Sequence, residues 1–76
     1  MSENTKGRIV DHEEAISFLR SCGATCSPRQ LARVLGGNPY QYNVQAKNGK
    51  LRFEFDWHGS SLRIYTQSVI NRVFGG

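Results

Sequence analysis

The side chains of this chain best suited to covalent or metal chemistry are two thiols and two imidazoles, and their spacing argues against both uses. Cys22 and Cys26 stand four residues apart, not in the C-x-x-C knuckle of common zinc sites. Pooled with His12 and His58 they make a Cys2His2 set whose spacings match no familiar zinc module. A thiol acting as nucleophile needs a partner base, and neither histidine has a recognisable catalytic context. The chain has no G-x-x-x-x-G-K-[ST] loop, and no G-x-G-x-x-G follows a strand pattern. The expectation is no metal, no cofactor and no enzyme, with the two cysteines as reduced core thiols.

Binding phosphate is the chemistry that remains. The chain has ten Lys/Arg against six Asp/Glu, a net charge of +4, and the charges are unevenly placed. Between Glu14 and Glu54 there is no acidic residue, whereas Arg20, Arg29, Arg33, Lys47, Lys50 and Arg52 all fall there and give that stretch +6. A contiguous basic stretch in a small domain is the footprint of a phosphate-binding surface. Charge alone leaves a merely solvated cationic face equally open.

The elements that must carry these charges are few. A chain of 76 residues buries only about 60% of the surface it exposes when unfolded, so one modest core is expected and a deep substrate cavity is not. No apolar run nears the ~18 residues that span a bilayer, and the start MSENTKGR has no apolar signal core, which reads as cytoplasmic with no membrane partner. Residues 1–10 read as a flexible polar tail and 11–76 as a single domain.

Asp11 with Glu14 makes a D-x-x-E capping pattern before Ala15, Ile16, Leu19 and Cys22 recur at helical spacing, predicting a helix over 12–22 that Gly23 ends. Ser27-Pro28-Arg29-Gln30 combines a cap, a first-turn proline and a glutamine able to reach back, predicting a helix over 28–35 closed by Gly36-Gly37. Asn38-Pro39 repeats the cap and proline two residues later. A capped helix, a glycine turn and a second capped start form the grammar of a helix-turn-helix.

Over 40–46 two rules conflict. Tyr40, Tyr42, Val44 and Ala46 alternate with polar residues, and Asn48-Gly49 is a strong hairpin signal that would set Ala46 against Leu51, Val44 against Phe53 and Tyr42 against Phe55. The helical reading uses Asn38 as cap, pairs Tyr42 with Ala46 and makes Asn48-Gly49 a C-cap. Downstream, Leu51, Phe53, Phe55 and Trp57 alternate strictly, as do Leu62, Ile64 and Thr66. With Gly59-Ser60 as the turn, Trp57 opposes Leu62, Phe55 opposes Ile64, and Asp56 opposes Arg63 on the solvent face. That register predicts three aromatics packed on one buried side. Thr66 then caps a last helix with Val69, Ile70, Val73 and Phe74 as its apolar stripe.

The run LARVLGGNPYQYNVQAKNGKLRFEFDWHGSSLRI resembles the small excisionase-like, winged helix-turn-helix DNA-binding proteins of phages and integrative conjugative elements. The marks are Leu35-Gly36, Pro39, Gly49-Lys50-Leu51, Phe53, Gly59 and Leu62-Arg63-Ile64, with a terminal helix after Thr66, and they cover about residues 27–74. Helix 1 is a longer N-terminal addition than the family pattern has. The resemblance favours a recognition helix over 39–47, with a third strand at 40–46 as the alternative. It implies an α+β winged helix-turn-helix of three N-terminal helices, a two-stranded hairpin wing and a short C-terminal helix.

Carried over residue by residue, the resemblance places Tyr40, Gln41, Asn43, Val44 and Lys47 on or near the groove-facing side. Gln41 and Asn43 can each offer an amide to adenine, and Lys47 a phosphate or guanine contact. Arg29, Lys50 and Arg52 would meet phosphates, and His58, Ser60 and Ser61 at the wing tip, with Arg63 near them, phosphate or sugar. The implied function is an excisionase or recombination directionality factor, or an element-encoded transcription regulator. Its partners would be double-stranded DNA, a tyrosine recombinase and further copies of itself bound cooperatively. A phage-encoded inhibitor or adaptor docking its basic face on an acidic protein is the rival, and it gains if 40–46 is a strand. Single-strand binding on Tyr40, Tyr42 or Tyr65 is a third possibility, opposed by a hairpin whose aromatics are buried.

Overall fold

The structure, a computed structural model, describes residues 11–75; the expected tail at 1–10 lies outside them. Helix α1 (His12–Ser21) starts where Asp11 accepts the Glu13 N–H at 3.0 Å. That bond goes to the second helical residue, not to the third-position N–H a capping box uses. Glu13 and Glu14 in the first turn and Arg20 in the last complement the helix dipole. Helix α2 (Pro28–Leu35) has the complete box: Ser27 Oγ accepts the Gln30 N–H at 3.1 Å, and the Ser27 N–H donates to Gln30 Oε1 at 2.9 Å. Helix α3 (Pro39–Lys47) begins at Asn38, whose side chain accepts the Tyr40 N–H at 2.9 Å.

Residues 40–46 are therefore helical, and the strand alternative is not adopted. The Asn-Gly pair that suggested a hairpin serves as the end of the helix. Gly49, at φ 70°, donates its N–H to Ala46 O at 3.1 Å, and the Lys50 N–H donates to Gln45 O at 2.7 Å. These are the two bonds of a Schellman C-cap, so the glycine closes a helix instead of turning a ribbon. Alternation of tyrosines was a false period: Tyr42 and Ala46, one turn apart, face the core, while Tyr40 is 67% exposed.

Strands β1 (Thr25–Cys26), β2 (Phe55–His58) and β3 (Ser61–Tyr65) form one antiparallel sheet in the order β1-β3-β2. The β2–β3 register pairs Phe55 with Ile64, Asp56 with Arg63, Trp57 with Leu62 and His58 with Ser61, as the alternation predicts. Two features differ from expectation. The hairpin is not a two-stranded unit, because β1 pairs Thr25 with Tyr65 and Cys26 with Ile64 on the other edge of β3. Nor are three aromatics buried: Phe53 is, Phe55 is half-buried and Trp57 is 37% exposed, its ring edge-on to Phe55 at 6.4 Å.

Thr66 does not cap the last helix. It is the first residue of α4 (Thr66–Val69), and its buried hydroxyl donates to Gly23 O at 2.8 Å and Ala24 O at 3.2 Å. The chain then widens into a π-helical segment, Ile70–Phe74, which Gly75 ends at φ 78°. Leu19 of α1, Leu31 of α2, Cys26 and Ile64 of the sheet, and Val69 and Ile70 near the C-terminus are fully buried and make the centre of the core. Among the described residues the fold is α+β, four helices with one three-stranded antiparallel sheet, and no helix is long and apolar enough to cross a membrane.

Candidate nucleic-acid interface

The turn between α2 and α3 sets how α3 is presented. Gly36 sits at φ 83° and ψ −175°, a region closed to side chains with a Cβ, and Gly37 follows at φ 86°. Across this turn the Tyr42 hydroxyl donates to Gly36 O at 2.7 Å. That bond ties the middle of α3 to the end of α2. With Ala46 and Tyr42 turned inward, Tyr40, Gln41, Gln45 and Lys47 are exposed and Val44 is half-buried without packing on the core.

That outward face holds Tyr40, Gln41, Val44 and Gln45, which line one open depression of about 370 Å³. Lys47 flanks it, exposed in the last turn. Asn43, expected among the groove-facing residues, is half-buried on the opposite flank from Gln41 and Gln45. Gln45 takes the place assigned to Asn43. Its four-residue offset from Gln41 is visible in the sequence once a helix is assumed, so the signal was there and the helix–strand conflict obscured it.

The cations divide into those free to meet a ligand and those already engaged. Lys50 and Arg52 are exposed and line a second groove of about 330 Å³ with Leu35, Tyr42, Gln45 and Phe53, which joins them to the α3 face. The Arg52 guanidinium lies 5.1 Å from the centre of the Phe53 ring. Arg29 is exposed in the first turn of α2, and Arg33 rests over Phe18 at 5.5 Å. Arg63 is half-buried and bound internally. Its Nε donates to Thr25 Oγ1 at 3.1 Å and its Nη2 to Thr25 O at 3.3 Å, clamping β1 to β3. Asp56, its partner across the ladder, accepts instead from the Tyr65 hydroxyl. His58, Ser60 and Ser61 are exposed at the hairpin turn, apart from the α3 groove.

The acids lie elsewhere. Glu13 and Glu14 stand in the first turn of α1, and Glu54 and Asp56 flank or belong to β2. The hydrogen bond to Asp56, and that carboxylate's charge, hold the Tyr65 phenol above its ordinary range. Burial pushes the Cys26 thiol up to about 12, assisted by Cys22 and opposed by Arg63, and burial likewise raises Cys22. Both shifts favour the protonated thiol at neutral pH, most strongly at the buried Cys26. Among the described residues no three His, Cys, Asp or Glu side chains cluster as a metal site. Comparison of the chain with protein-family models, curated proteins and solved structures found no match.

Proposed function

We propose that the chain is a winged helix-turn-helix protein that binds duplex DNA, with α3 in the major groove and the β2–β3 hairpin as its wing. The observation that carries this reading is the outward face of α3. It presents the exposed amides of Gln41 and Gln45 beside Tyr40 and a half-buried Val44, and Lys47, Lys50 and Arg52 border it within a stretch that has no acidic residue from 15 to 53. The element order supports it too: α2, a tight glycine turn, α3, then a hairpin ending in two residues at Gly59-Ser60. The biological role that goes with the resemblance is an excisionase-like recombination directionality factor or an element-encoded transcription regulator, acting in the cytoplasm and not as an enzyme.

A single module of this size covers about 600–1,000 Å² of surface on DNA, which is little for specific affinity. Copies side by side, or a tyrosine recombinase on the same DNA, would supply the rest. The competing reading, an inhibitor docking its basic face on an acidic protein, would have gained from a strand at 40–46, and that segment is helical.

Fluorescence anisotropy with labelled duplex DNA tests the proposal. With the exposed Arg29, Lys47, Lys50 and Arg52 each neutralising a phosphate, log K should fall against log salt with a slope of about −4. No affinity for duplex DNA even at low salt would overturn it.

A further inference from the structure

The glutamines of the described chain divide sharply by what their side chains do. Gln30 is spent on the α2 capping box, and the Gln67 amide donates to Asn71 Oδ1 at 2.9 Å. Gln41 and Gln45 have no hydrogen-bond partner among the described residues, and both are exposed on α3. They are one turn apart, so their amides rise in a row along the helix. Tyr40 and Val44 form a second row with the same offset, one residue earlier, and about 100° away around the axis. The exposed face is thus an amide row beside an apolar row. Val44 is half-buried and not among the residues packed on the core, which leaves its methyls available to an apolar contact.

An A·T base pair offers the complement of that arrangement. In the major groove adenine shows an acceptor and a donor that one carboxamide satisfies together, and thymine shows its C5-methyl beside them. A G·C pair has no methyl, and guanine's two acceptors are met by arginine or lysine; α3 has no arginine, and its one lysine, Lys47, lies across the Tyr40–Val44 row from the two glutamines. Four residues of helix rise about 6 Å, close to two base-pair steps at about 3.4 Å each.

We infer that the outward face of α3 reads A·T pairs in the major groove at two positions about two steps apart. Gln41 and Gln45 meet the adenine edges, and Val44, with the ring of Tyr40 behind it, meets thymine methyls. Gln41, Gln45 and Val44 are the specificity-determining residues, and Asn43 is not one. This inference rests on the DNA-binding reading above.

The test is selection at low salt from a pool of short duplexes with a randomised core, followed by anisotropy on the recovered sequence. The expected result is enrichment of A·T pairs at two positions about two steps apart. Replacing thymine by uracil there removes a single methyl and should weaken binding roughly fourfold. Gln45→Ala should weaken the recovered duplex roughly tenfold and abolish the preference at one position, with a G·C-core duplex bound as before. Gln41→Ala should do the same at the other position, and circular dichroism confirms that both variants fold. Enrichment of G·C pairs at those positions, or an unchanged preference in Gln45→Ala together with no uracil effect, overturns the inference while leaving DNA binding intact. Failure of the pool to be retained at all overturns the DNA-binding reading itself.

Discussion

Replacing Thr66 by valine should destabilise the domain by removing a tie between the turn after α1 and the end of β3. Among the described residues Thr66 is the polar side chain that is buried, 6% exposed, and its hydroxyl donates to Gly23 O at 2.8 Å and to Ala24 O at 3.2 Å. Valine keeps the shape and loses both bonds. The Ala24 carbonyl retains the Thr66 N–H at 3.1 Å, so Gly23 O is the group left without its partner. Because Gly23 lies at the surface, water can reach that oxygen, which puts the cost at about 1–2 kcal/mol, the lower part of the range for a broken buried bond. A domain of 76 residues has about 4–11 kcal/mol in total, so the loss is a sizeable fraction. In thermal unfolding followed by circular dichroism the midpoint should drop by about 4–16 °C. Thr66→Ser keeps the hydroxyl and should lose less. The reasoning is refuted if Thr66→Val unfolds within a degree or two of the parent, or if serine is as damaging as valine.

Three other outcomes follow from the same geometry. Ser27→Ala opens the α2 capping box and should cost about 1 kcal/mol in urea denaturation, with the slope unchanged. Arg63→Ala releases β1 from β3 and should cost about 1 kcal/mol of stability, whereas Arg29→Ala, exposed on α2, should leave stability within about 0.5 kcal/mol and act on DNA affinity alone. An Arg63 variant as stable as the parent would show that the Thr25 clamp contributes nothing. The unfolded chain releases the Cys26 proton near 9.0 and the folded chain only near 12. Stability from that buried thiol is therefore complete below pH 9 and lost as pH rises towards 12, and the raised Tyr65 phenol acts in the same direction above pH 10. Urea midpoints should fall between pH 8 and pH 10.5, and a thiol reagent at pH 8 should label Cys22 before Cys26.

Signals confined to a few residues were the readable ones. The Ser27-Pro28-Gln30 box, the 28–35 helix and the β2–β3 register all appear in the structure where the sequence places them, because each is decided by bonds spanning about four residues or by one turn. For the candidate interface, the basic stretch and the exposure of Gln41, Lys47, Lys50 and Arg52 were likewise legible from residue type, whereas Tyr40, 67% exposed, belonged to the misleading apolar alternation. The substitution of Gln45 for Asn43 on the outward face was not, since it depends on the helical phase of α3, and that phase was hidden by an apolar alternation equally suited to a strand.

By itself, then, the sequence determined where α1, α2 and α3 can start, which hairpin forms and in what register, and where positive charge collects. Tertiary structure alone decided the rest. It made 40–46 a helix, through the packing of Tyr42 and Ala46 on the core and the Tyr42–Gly36 bond. It added β1 to the sheet, turned Arg63 to Thr25 and set Thr66 against Gly23, contacts between residues 38 to 43 positions apart. Such partners are invisible to a local pattern because nothing in the intervening chain specifies them. They meet only once α1 and α2 have closed over Leu19, Leu31 and Ile64 and brought the turn after α1 alongside the end of β3.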